Sequence, residues 1–180
     1  MAAAVFPDNT VLINFGTVDR LDLLAGWLRG RGRWTEAVAD EARQSAQFVP
    51  AMQGLDGAGW LGTPIQIDSG KAIAEVERLR RNVFGGSIAE PRKHLGESQT
   101  CYLIKHDPAW VGSWWVSDDT DANEWAQFQG FVVRTTVGVI KELVADGDLT
   151  AENGYELLQA MVVAGRDNIT LPQAPRDLLI

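Results

Sequence analysis

The sequence predicts an α/β fold with a short, mostly parallel central sheet. Short apolar runs at residues 5–7, 63–68, 113–117 and 131–133 have the length and composition of strands. The longer segments between them carry apolar residues at helical spacing. Because parallel strands need crossover connections of about a dozen residues or more, helices between these runs favour a parallel sheet.

Length and composition fit one globular domain, which we expect to span residues 1–170 with a C-terminal tail at 171–180. The formal net charge of −8 argues against binding nucleic acid or an anionic membrane through overall charge. The single cysteine, Cys101, excludes an intrachain disulfide and a thiolate metal cage, and it favours a reducing, cytoplasmic setting. No apolar run approaches the roughly 20 residues of a membrane span, so no membrane partner is expected.

The first predicted strand ends near Asp8, which places a carboxylate at a strand end. Pro7 weakens the strand, because proline cannot donate a ladder hydrogen bond. The alternative is a polar turn at residues 8–10, since aspartate and asparagine favour turns.

A helix is predicted over residues 21–28, where apolar residues recur at i, i+3, i+4 and i+7. Thr17 or Asp19 is its expected N-cap, and Gly30 ends it. Three arginines follow, and basic residues at a helix C-terminus ordinarily complement the helix dipole. Contact with substrate phosphates is the other role considered for this cluster, which consists of Arg29, Arg31 and Arg33.

Two helices with hydroxyl N-caps are predicted between residues 35 and 83. Thr35 begins the first, which carries Glu41 beside the apolar face marked by Val38. Ser69 begins the second, and four of its apolar residues are expected to face inward: Ile73, Val76, Leu79 and Val83. Three arginines of the second helix are expected to face solvent: Arg78, Arg80 and Arg81.

A further helix is predicted over residues 92–105, with Glu97 in its first or second turn. The helix dipole favours an acid there whatever its function. Gly96 indicates a more specific role, because it lets another group approach while Glu97 points at a metal. Cys101 is expected to be a small buried hydrophobe rather than a nucleophile.

An acidic cluster follows the predicted strand at 113–117, and it consists of Asp118, Asp119 and Asp121. Like charges held together cost free energy unless something positive neutralises them. A divalent cation is the usual neutraliser, and hard oxygen ligands suit Mg²⁺ or Mn²⁺. Sites in parallel sheets form outside the carboxyl ends of the strands, where Asp8 also falls. These positions favour a metal site at that edge of the sheet.

Three more helices are predicted after this cluster. The first runs from about residue 121 to 129, and the second begins at Thr135 or Thr136 and continues through residue 144. Residues 157–162 lie in a closing helix. No repeat, low-complexity stretch or linker interrupts the pattern, which supports a single domain.

The acids of this chain occur in four motifs. The segment from Val5 to Asn14 is similar to D-x-[ST/N]-x-L-I, and Val38 to Glu41 places a glutamate three residues after an aliphatic residue on a helix. His94 to Glu97 contains L-G-E at a helix start, and Val116 to Asp121 is similar to [LV]-[ST]-x-D-x-[DN]. In this order the motifs resemble those of the PIN-domain nucleases, which include the VapC-like toxin ribonucleases of bacterial toxin–antitoxin systems. Two downstream segments add to the resemblance: residues 130–140 and 149–152.

The resemblance implies a PIN-like three-layer α/β/α sandwich and a metal-dependent endoribonuclease. It implies that Asp8, Glu41, Glu97 and Asp119 are catalytic and hold one or two Mg²⁺ or Mn²⁺ ions, which activate a water for attack on the phosphodiester. Five acids are candidate metal ligands: Asp8, Glu97, Asp118, Asp119 and Asp121. Two hydroxyls are expected to orient a ligand or a water: Thr10 and Ser117.

The resemblance also implies RNA as substrate and a cognate antitoxin as a protein partner, with a homodimer as an open possibility. An acidic protein can still bind RNA where metal and local arginines attract phosphate. Two such basic patches are available, one at Arg29, Arg31 and Arg33 and the other at Arg92 and Lys93.

The sequence departs from the family pattern at three places. The segment between Glu41 and Glu97 is longer than in the smallest toxins of the family, with an added helix at 71–83. Pro7 stands where the family has an aliphatic strand residue, and the pair Asp118 and Asp119 leaves the fourth ligand open. The main alternative is a catalytically silent PIN-like protein that only binds a partner. A response-regulator receiver is disfavoured because no lysine follows the last strand, and a haloacid-type phosphatase is disfavoured because residues 8–10 lack a second aspartate.

Overall fold

A three-stranded parallel sheet lies at the centre of the computed structural model, which describes residues 3–179. Its strands are β1 (Val5–Pro7), β2 (Trp114–Val116) and β3 (Val132–Arg134), in the order β1-β2-β3. Val5 lies opposite Trp114, which lies opposite Val132. The predicted parallel α/β class is confirmed.

Eight α-helices are present in residues 3–179: α1 (Asn9–Thr17), α2 (Leu21–Leu28), α3 (Glu36–Ser45), α4 (Gly70–Asn82), α5 (Leu95–His106), α6 (Thr120–Phe128), α7 (Thr136–Ala145) and α8 (Ala151–Val163). Short 3-10 turns lie at Pro50–Met52, Leu55–Gly57 and Pro175–Leu178. Side chains of the α-helices pack against both faces of the short sheet.

The two faces of the sheet carry separate hydrophobic cores. Side chains alternate along a strand, so Val5 and Val116 pack into one core while Phe6 and Trp115 pack into the other. Burial on both faces explains why these strands read as continuous apolar runs. The arrangement is compatible with a three-layer sandwich.

The predicted strand at residues 63–68 is wrong. Only one isolated bridge forms there, between Ile65 and Thr35. Pro64 supplies no N–H for a ladder, which limits pairing in this stretch. The sequence reading also missed α1, whose Val11, Leu12 and Phe15 are fully buried. Spacing at i, i+1 and i+4 turns these three toward the core.

The helix N-caps Thr35, Ser69 and Thr135 are confirmed, because each hydroxyl accepts a hydrogen bond from a backbone N–H in the first turn. The cap expected for α2 at Thr17 or Asp19 is wrong. Arg20 occupies that position without a side-chain cap.

Two expectations for α4 are wrong. Ile73 is half exposed, and Arg80 is only 1% exposed. The Arg80 guanidinium donates to the Glu77 carboxylate at 2.7 and 2.8 Å and to the backbone carbonyls of Ser87, Glu90 and Lys93. A buried guanidinium needs its fixed fork of donors satisfied, and the loop before α5 provides those acceptors. Arg80 therefore anchors the segment that leads to Glu97.

The segment expected as a C-terminal tail contacts the body of the protein. Its Leu178 is fully buried in the same core as Leu158 and Met161 of α8. Within residues 3–179, no helix has the length and apolar character needed to cross a membrane.

Candidate functional site

Asp8 lies where β1 ends and α1 begins. Its N–H donates to the Val116 carbonyl at 2.8 Å, which extends the pairing with β2 past Pro7. Its carboxylate is 5% exposed and accepts a hydrogen bond from the Thr10 hydroxyl at 2.6 Å. The predicted position of Asp8 at a strand end is confirmed, and the orienting role predicted for Thr10 stays a prediction.

Glu41 approaches from α3, which packs against α5. The nearby backbone N–H of Gly96 partly opposes the rise in the pKa of Glu41. A Cβ at Gly96 would lie 3.1 Å from Glu41 Oε1 and 3.0 Å from Val38 Cγ2. Real Cβ atoms rarely tolerate such contacts, so a glycine at this position lets α3 and α5 meet closely. The expectation that Gly96 admits another group is confirmed, and that group is the Glu41 carboxylate.

Glu97 lies in the first turn of α5, after His94 in a left-handed conformation with φ of 60°. Its Oε1 is 3.2 Å from His94 Nδ1. Asp8, Glu41 and Glu97, called here the acidic trio, come from three different elements and interact electrostatically. Elements distant in sequence thus bring three predicted site residues into one region.

The acidic trio shifts two pKa values upward. Burial, and next the charge of Glu97, raise the pKa of Asp8 to about 7. Burial, followed by the charges of Asp8 and Glu97, raises the pKa of Glu41 to about 8. Neither Asp8 nor Glu41 has a salt-bridge partner within residues 3–179. Near neutral pH Asp8 and Glu41 therefore carry unrelieved negative charge or bound protons.

The acids do not form a compact ligand shell. Across residues 3–179, no three Asp, Glu, His or Cys side chains are close enough to one another to hold a metal ion. A metal shared by the trio would require these carboxylates to move closer together.

Asp118 belongs to a separate, well-satisfied network. Its carboxylate accepts hydrogen bonds from the Thr136 N–H at 2.8 Å, the Thr136 hydroxyl at 2.5 Å and Asn14 Nδ2 at 2.9 Å. Asn14 Oδ1 in turn accepts from Arg166 Nε at 2.7 Å. Burial raises the pKa of Asp118, while the hydrogen bonds from Thr136 and Asn14 and the charge of Arg166 oppose the rise. We therefore interpret Asp118 as a structural carboxylate and not as a metal ligand.

Asp119 has a different environment from its neighbour. It is exposed and N-caps α6, with Oδ1 accepting from the Ala122 N–H at 2.8 Å. Oδ2 accepts no hydrogen bond from residues 3–179, so one oxygen is open to a ligand. Asp121 is exposed in the first turn of α6. Ser117 is fully buried, and its hydroxyl accepts from the Asp119 N–H at 3.3 Å.

The arginines at 29, 31 and 33 do not approach the acidic trio. Gly32, in the middle of this cluster, pairs with Val5 of β1. Val5 lies three residues before Asp8, so the backbone of Gly32 is about 10 Å from that of Asp8 along the strand direction. Each guanidinium also has a partner in this part of the molecule: Arg29 pairs with Asp146 at 2.8 Å, Arg31 lies over the Trp114 ring, and Arg33 donates to the carbonyls of Gly30 and Gly32.

Arg92 lies closer to the acids. It borders a small cavity of about 70 Å³ together with Glu41 and Leu95. Arg92 is exposed, so its guanidinium is accessible to a ligand. Of the two basic patches in the sequence, the one containing Arg92 lies beside the acidic trio.

Sequence reasoning missed three polar residues of the Asp118 network, namely Asn14, Thr136 and Arg166. Asn14 is fully buried although it carries an amide. A polar residue inside the apolar run from Val11 to Phe15 is a signal that a partner exists. The sequence does not say which residue that partner is, because Asp118 lies 104 positions away.

Comparisons with known proteins identify no relative. No family model matches the chain. No curated protein and no solved structure matches it either.

Proposed function

We propose that this protein is a metal-dependent endoribonuclease with a PIN-like three-layer fold. The observation that supports the proposal best is the acidic trio at the carboxyl end of the parallel sheet. Burial and mutual repulsion raise the pKa values of Asp8 and Glu41 to about 7 and about 8. A region that concentrates carboxylates without a basic partner for Asp8 and Glu41 is suited to binding a cation.

The donor chemistry fits Mg²⁺ or Mn²⁺, because hard cations prefer carboxylate oxygens. Asp8, Glu41 and Glu97 would hold the ion, and Asp119 is the proposed fourth acid, since its Oδ2 is open and Asp118 is fully engaged. When bound, such a metal lowers the pKa of a coordinated water and stabilises charge on the scissile phosphate.

The chain's own residues orient the acids and attract the substrate. The Thr10 hydroxyl fixes the Asp8 carboxylate, and the absence of a side chain at Gly96 leaves room for that of Glu41. Arg92 stands beside Glu41 and is positioned to bind a phosphate of RNA. Arg92 therefore replaces the arginines at 29, 31 and 33 as the proposed substrate contact.

Protons compete with the cation for Asp8 and Glu41. Because the pKa values of Asp8 and Glu41 are about 7 and about 8, the metal-free protein holds protons on these groups at neutral pH. Cation binding releases those protons, so metal affinity increases as the pH rises from about 6 to about 8. Ribonuclease activity follows the same direction over that range.

The resemblance of the motifs supports a cellular role as well. We propose that the protein is the toxin of a toxin–antitoxin pair, that a cognate antitoxin binds it, and that it acts in the cytoplasm. The buried, unpaired Cys101 is in keeping with a reducing compartment.

The test is cleavage of a labelled single-stranded RNA in Mn²⁺, in Mg²⁺ and in EDTA. Cleavage is expected only with metal, and Asp8→Asn or Glu41→Gln is expected to reduce it by about 100-fold or more, because metal stabilisation contributes several kcal/mol. Glu156→Gln, on the exposed face of α8, is the matched control and should retain the wild-type rate. Undiminished cleavage by a folded Asp8→Asn protein would contradict the proposal.

A catalytically silent binding protein is the competing proposal. The observation in its favour is that no three acids within residues 3–179 are close enough to share a metal. Binding of Mn²⁺ or RNA without cleavage of any RNA tested would favour it over the nuclease.

A further inference from the structure

The hairpin formed by α4 and α5, residues 70–106, differs in charge from the rest of the chain. It contains seven lysines and arginines against four acids, which gives a formal charge of +3. Because the whole chain carries −8, the remaining residues carry −11. The low net charge of the protein therefore conceals one basic region, called here the basic hairpin.

An open groove lies on the basic hairpin, between the first half of α4 and the last turns of α5. Its volume is about 630 Å³, within the range of roughly 300–1,000 Å³ that small-molecule sites occupy. Two cations of α4 and two rings of α5 line it: Lys71, Arg78, Tyr102 and His106. Tyr102 is half-buried and the other three are exposed, so all four side chains are within reach of a ligand.

The charge that the groove offers to a ligand is positive. Glu75 is the only acid that lines it, and this carboxylate is already engaged. Arg78 donates to both of its oxygens, at 2.5 and 2.9 Å, and His106 Nε2 is 3.7 Å from Oε1. Lys71 forms no ion pair within residues 3–179. Its ammonium group is thus free to bind an anion.

Aromatic rings lie next to these cations. The rings of Tyr102 and His106 are one turn apart on α5, with centroids 5.6 Å from each other and planes inclined by 32°. Sites for single-stranded nucleic acid combine cations that follow the backbone with rings on which bases stack. An acidic protein would use the cations but not the rings. The composition of the groove therefore favours a nucleic-acid strand over an acidic protein.

One face of α5 connects the groove to the acidic trio. Leu95 borders the small cavity beside Glu41 and Arg92. Spacing at i, i+4, i+7 and i+11 aligns four residues along this face: Leu95, Gln99, Tyr102 and His106. At 1.5 Å per residue the stripe is about 16 Å long. A bound strand that reaches from the acids to the groove would follow this face and pass Arg92.

We propose that the groove of the basic hairpin binds a single-stranded RNA at a nucleotide a short distance from the scissile phosphate. The inference rests on the proposed function, because that function supplies RNA as the ligand. Lys71 binds a backbone phosphate, and Tyr102 stacks on a base. Neither contact reads the edge of a base, so the groove adds affinity without sequence preference.

The experiment measures binding of a labelled oligouridine of about 12 nucleotides to the whole protein in EDTA, by fluorescence anisotropy over a range of KCl concentrations. Lys71→Gln is expected to weaken binding about fivefold at 0.1 M salt and to lower the slope of log K against log salt by about 0.7, the value for one phosphate contact on a single strand. Arg176→Gln is the control. It removes the same charge from a highly exposed side chain close to Leu178, which packs in the core on the other face of the sheet, and it should bind like the wild type.

Stacking is tested separately from charge. Tyr102→Leu is expected to weaken binding about tenfold and to leave the salt slope unchanged, because a stacked base contributes affinity without releasing counterions. The only other tyrosine, Tyr155 of α8, packs against the opposite core, so Tyr155→Leu is the matched control and should keep wild-type affinity. Circular dichroism establishes that each variant is folded.

Three results would overturn the inference. They are wild-type affinity in folded Lys71→Gln, wild-type affinity in folded Tyr102→Leu, and displacement of the RNA by an equal concentration of a glutamate peptide of the same length, which would indicate an acidic protein partner. The first two, found together with metal-dependent cleavage, would leave the nuclease in place. Binding that depends on Lys71 and Tyr102 in a protein that cleaves no RNA would uphold the groove and count against the nuclease.

Discussion

Two groups of carboxylates lie near the carboxyl end of the sheet, and their surroundings differ. Asp118 receives three hydrogen bonds from Thr136 and Asn14, and Asn14 is held by Arg166. In the acidic trio, Asp8 and Glu41 have other acids as charged neighbours and no salt bridge within residues 3–179. Burial is the largest cause of a raised pKa in both places. The neighbours, and not burial, therefore distinguish a structural carboxylate from one placed for a cation.

The largest stability effect is expected at Asp118. Asp118→Asn places an NH₂ against the donors of Thr136 and Asn14, so the free energy of unfolding should fall by about 3 kcal/mol. Urea denaturation at pH 7 in EDTA measures this change in the free energy of unfolding. Asp119→Asn is the matched control, because asparagine is an equally good N-cap, and it should change stability by less than about 0.5 kcal/mol. A loss of under about 1 kcal/mol for Asp118→Asn would remove the structural role given to Asp118.

A substitution in the acidic trio is expected to raise the stability of the protein instead of lowering it. Asp8→Asn removes a buried charge from a region of like charge, and the amide oxygen still accepts from the Thr10 hydroxyl. The metal-free protein at pH 8 should become more stable by about 2 kcal/mol. Thermal or urea unfolding in EDTA would show the gain. Destabilisation by this variant of the size expected for Asp118→Asn would make the two regions equivalent and contradict the comparison.

The acidic trio is also expected to make the stability of the protein depend on pH. Between about pH 4 and 8 the folded protein binds more protons at Asp8 and Glu41 than the unfolded chain does, because their folded pKa values are raised. The unfolding free energy of the metal-free protein should therefore fall as pH rises from 5 to 8, by up to about 1.4 kcal/mol per pH unit for each of the two protons. Glu77 acts in the opposite sense, since the hydrogen bonds from Arg80 hold its pKa at about 2, but its contribution is lost only below about pH 4.5.

The double variant Asp8→Asn with Glu41→Gln tests that assignment. Its unfolding free energy should vary little between pH 5 and 8. If the double variant keeps the wild-type slope, other groups are responsible for the pH dependence.

The smallest effect is expected at Gly96. A Cβ there meets Val38 Cγ2 at 3.0 Å and Glu41 Oε1 at 3.1 Å. Gly96→Ala should destabilise the protein by about 1 kcal/mol and weaken Mn²⁺ binding, since α3 must shift away from α5. Gly70→Ala is the control, because a Cβ at Gly70 meets nothing within 4 Å. Unchanged Mn²⁺ affinity in Gly96→Ala would show that the close approach of Glu41 has no role in cation binding.

The sequence predicts the parallel α/β class because buried parallel strands are continuous apolar runs, and it predicts several helix starts because hydroxyl caps act locally. It also places Asp8 at a strand end and Glu97 in a first helical turn. The burial of Arg80 could not be predicted, because its acceptors are backbone carbonyls of a loop. Asp118 and Asp119 could not be separated either, since the distinction depends on Asn14 and Thr136, which are distant in sequence.

The most direct test of the central claim is the thermal stability of the wild-type protein and of Asp8→Asn in Mn²⁺ and in EDTA at pH 7.5. We expect Mn²⁺ to stabilise the wild type by about 2.7 kcal/mol at 100 times its Kd and to leave Asp8→Asn almost unchanged. An unchanged Tm of the wild type in saturating Mn²⁺, or an equal rise in both proteins, would contradict the assignment of the acidic trio as a cation site.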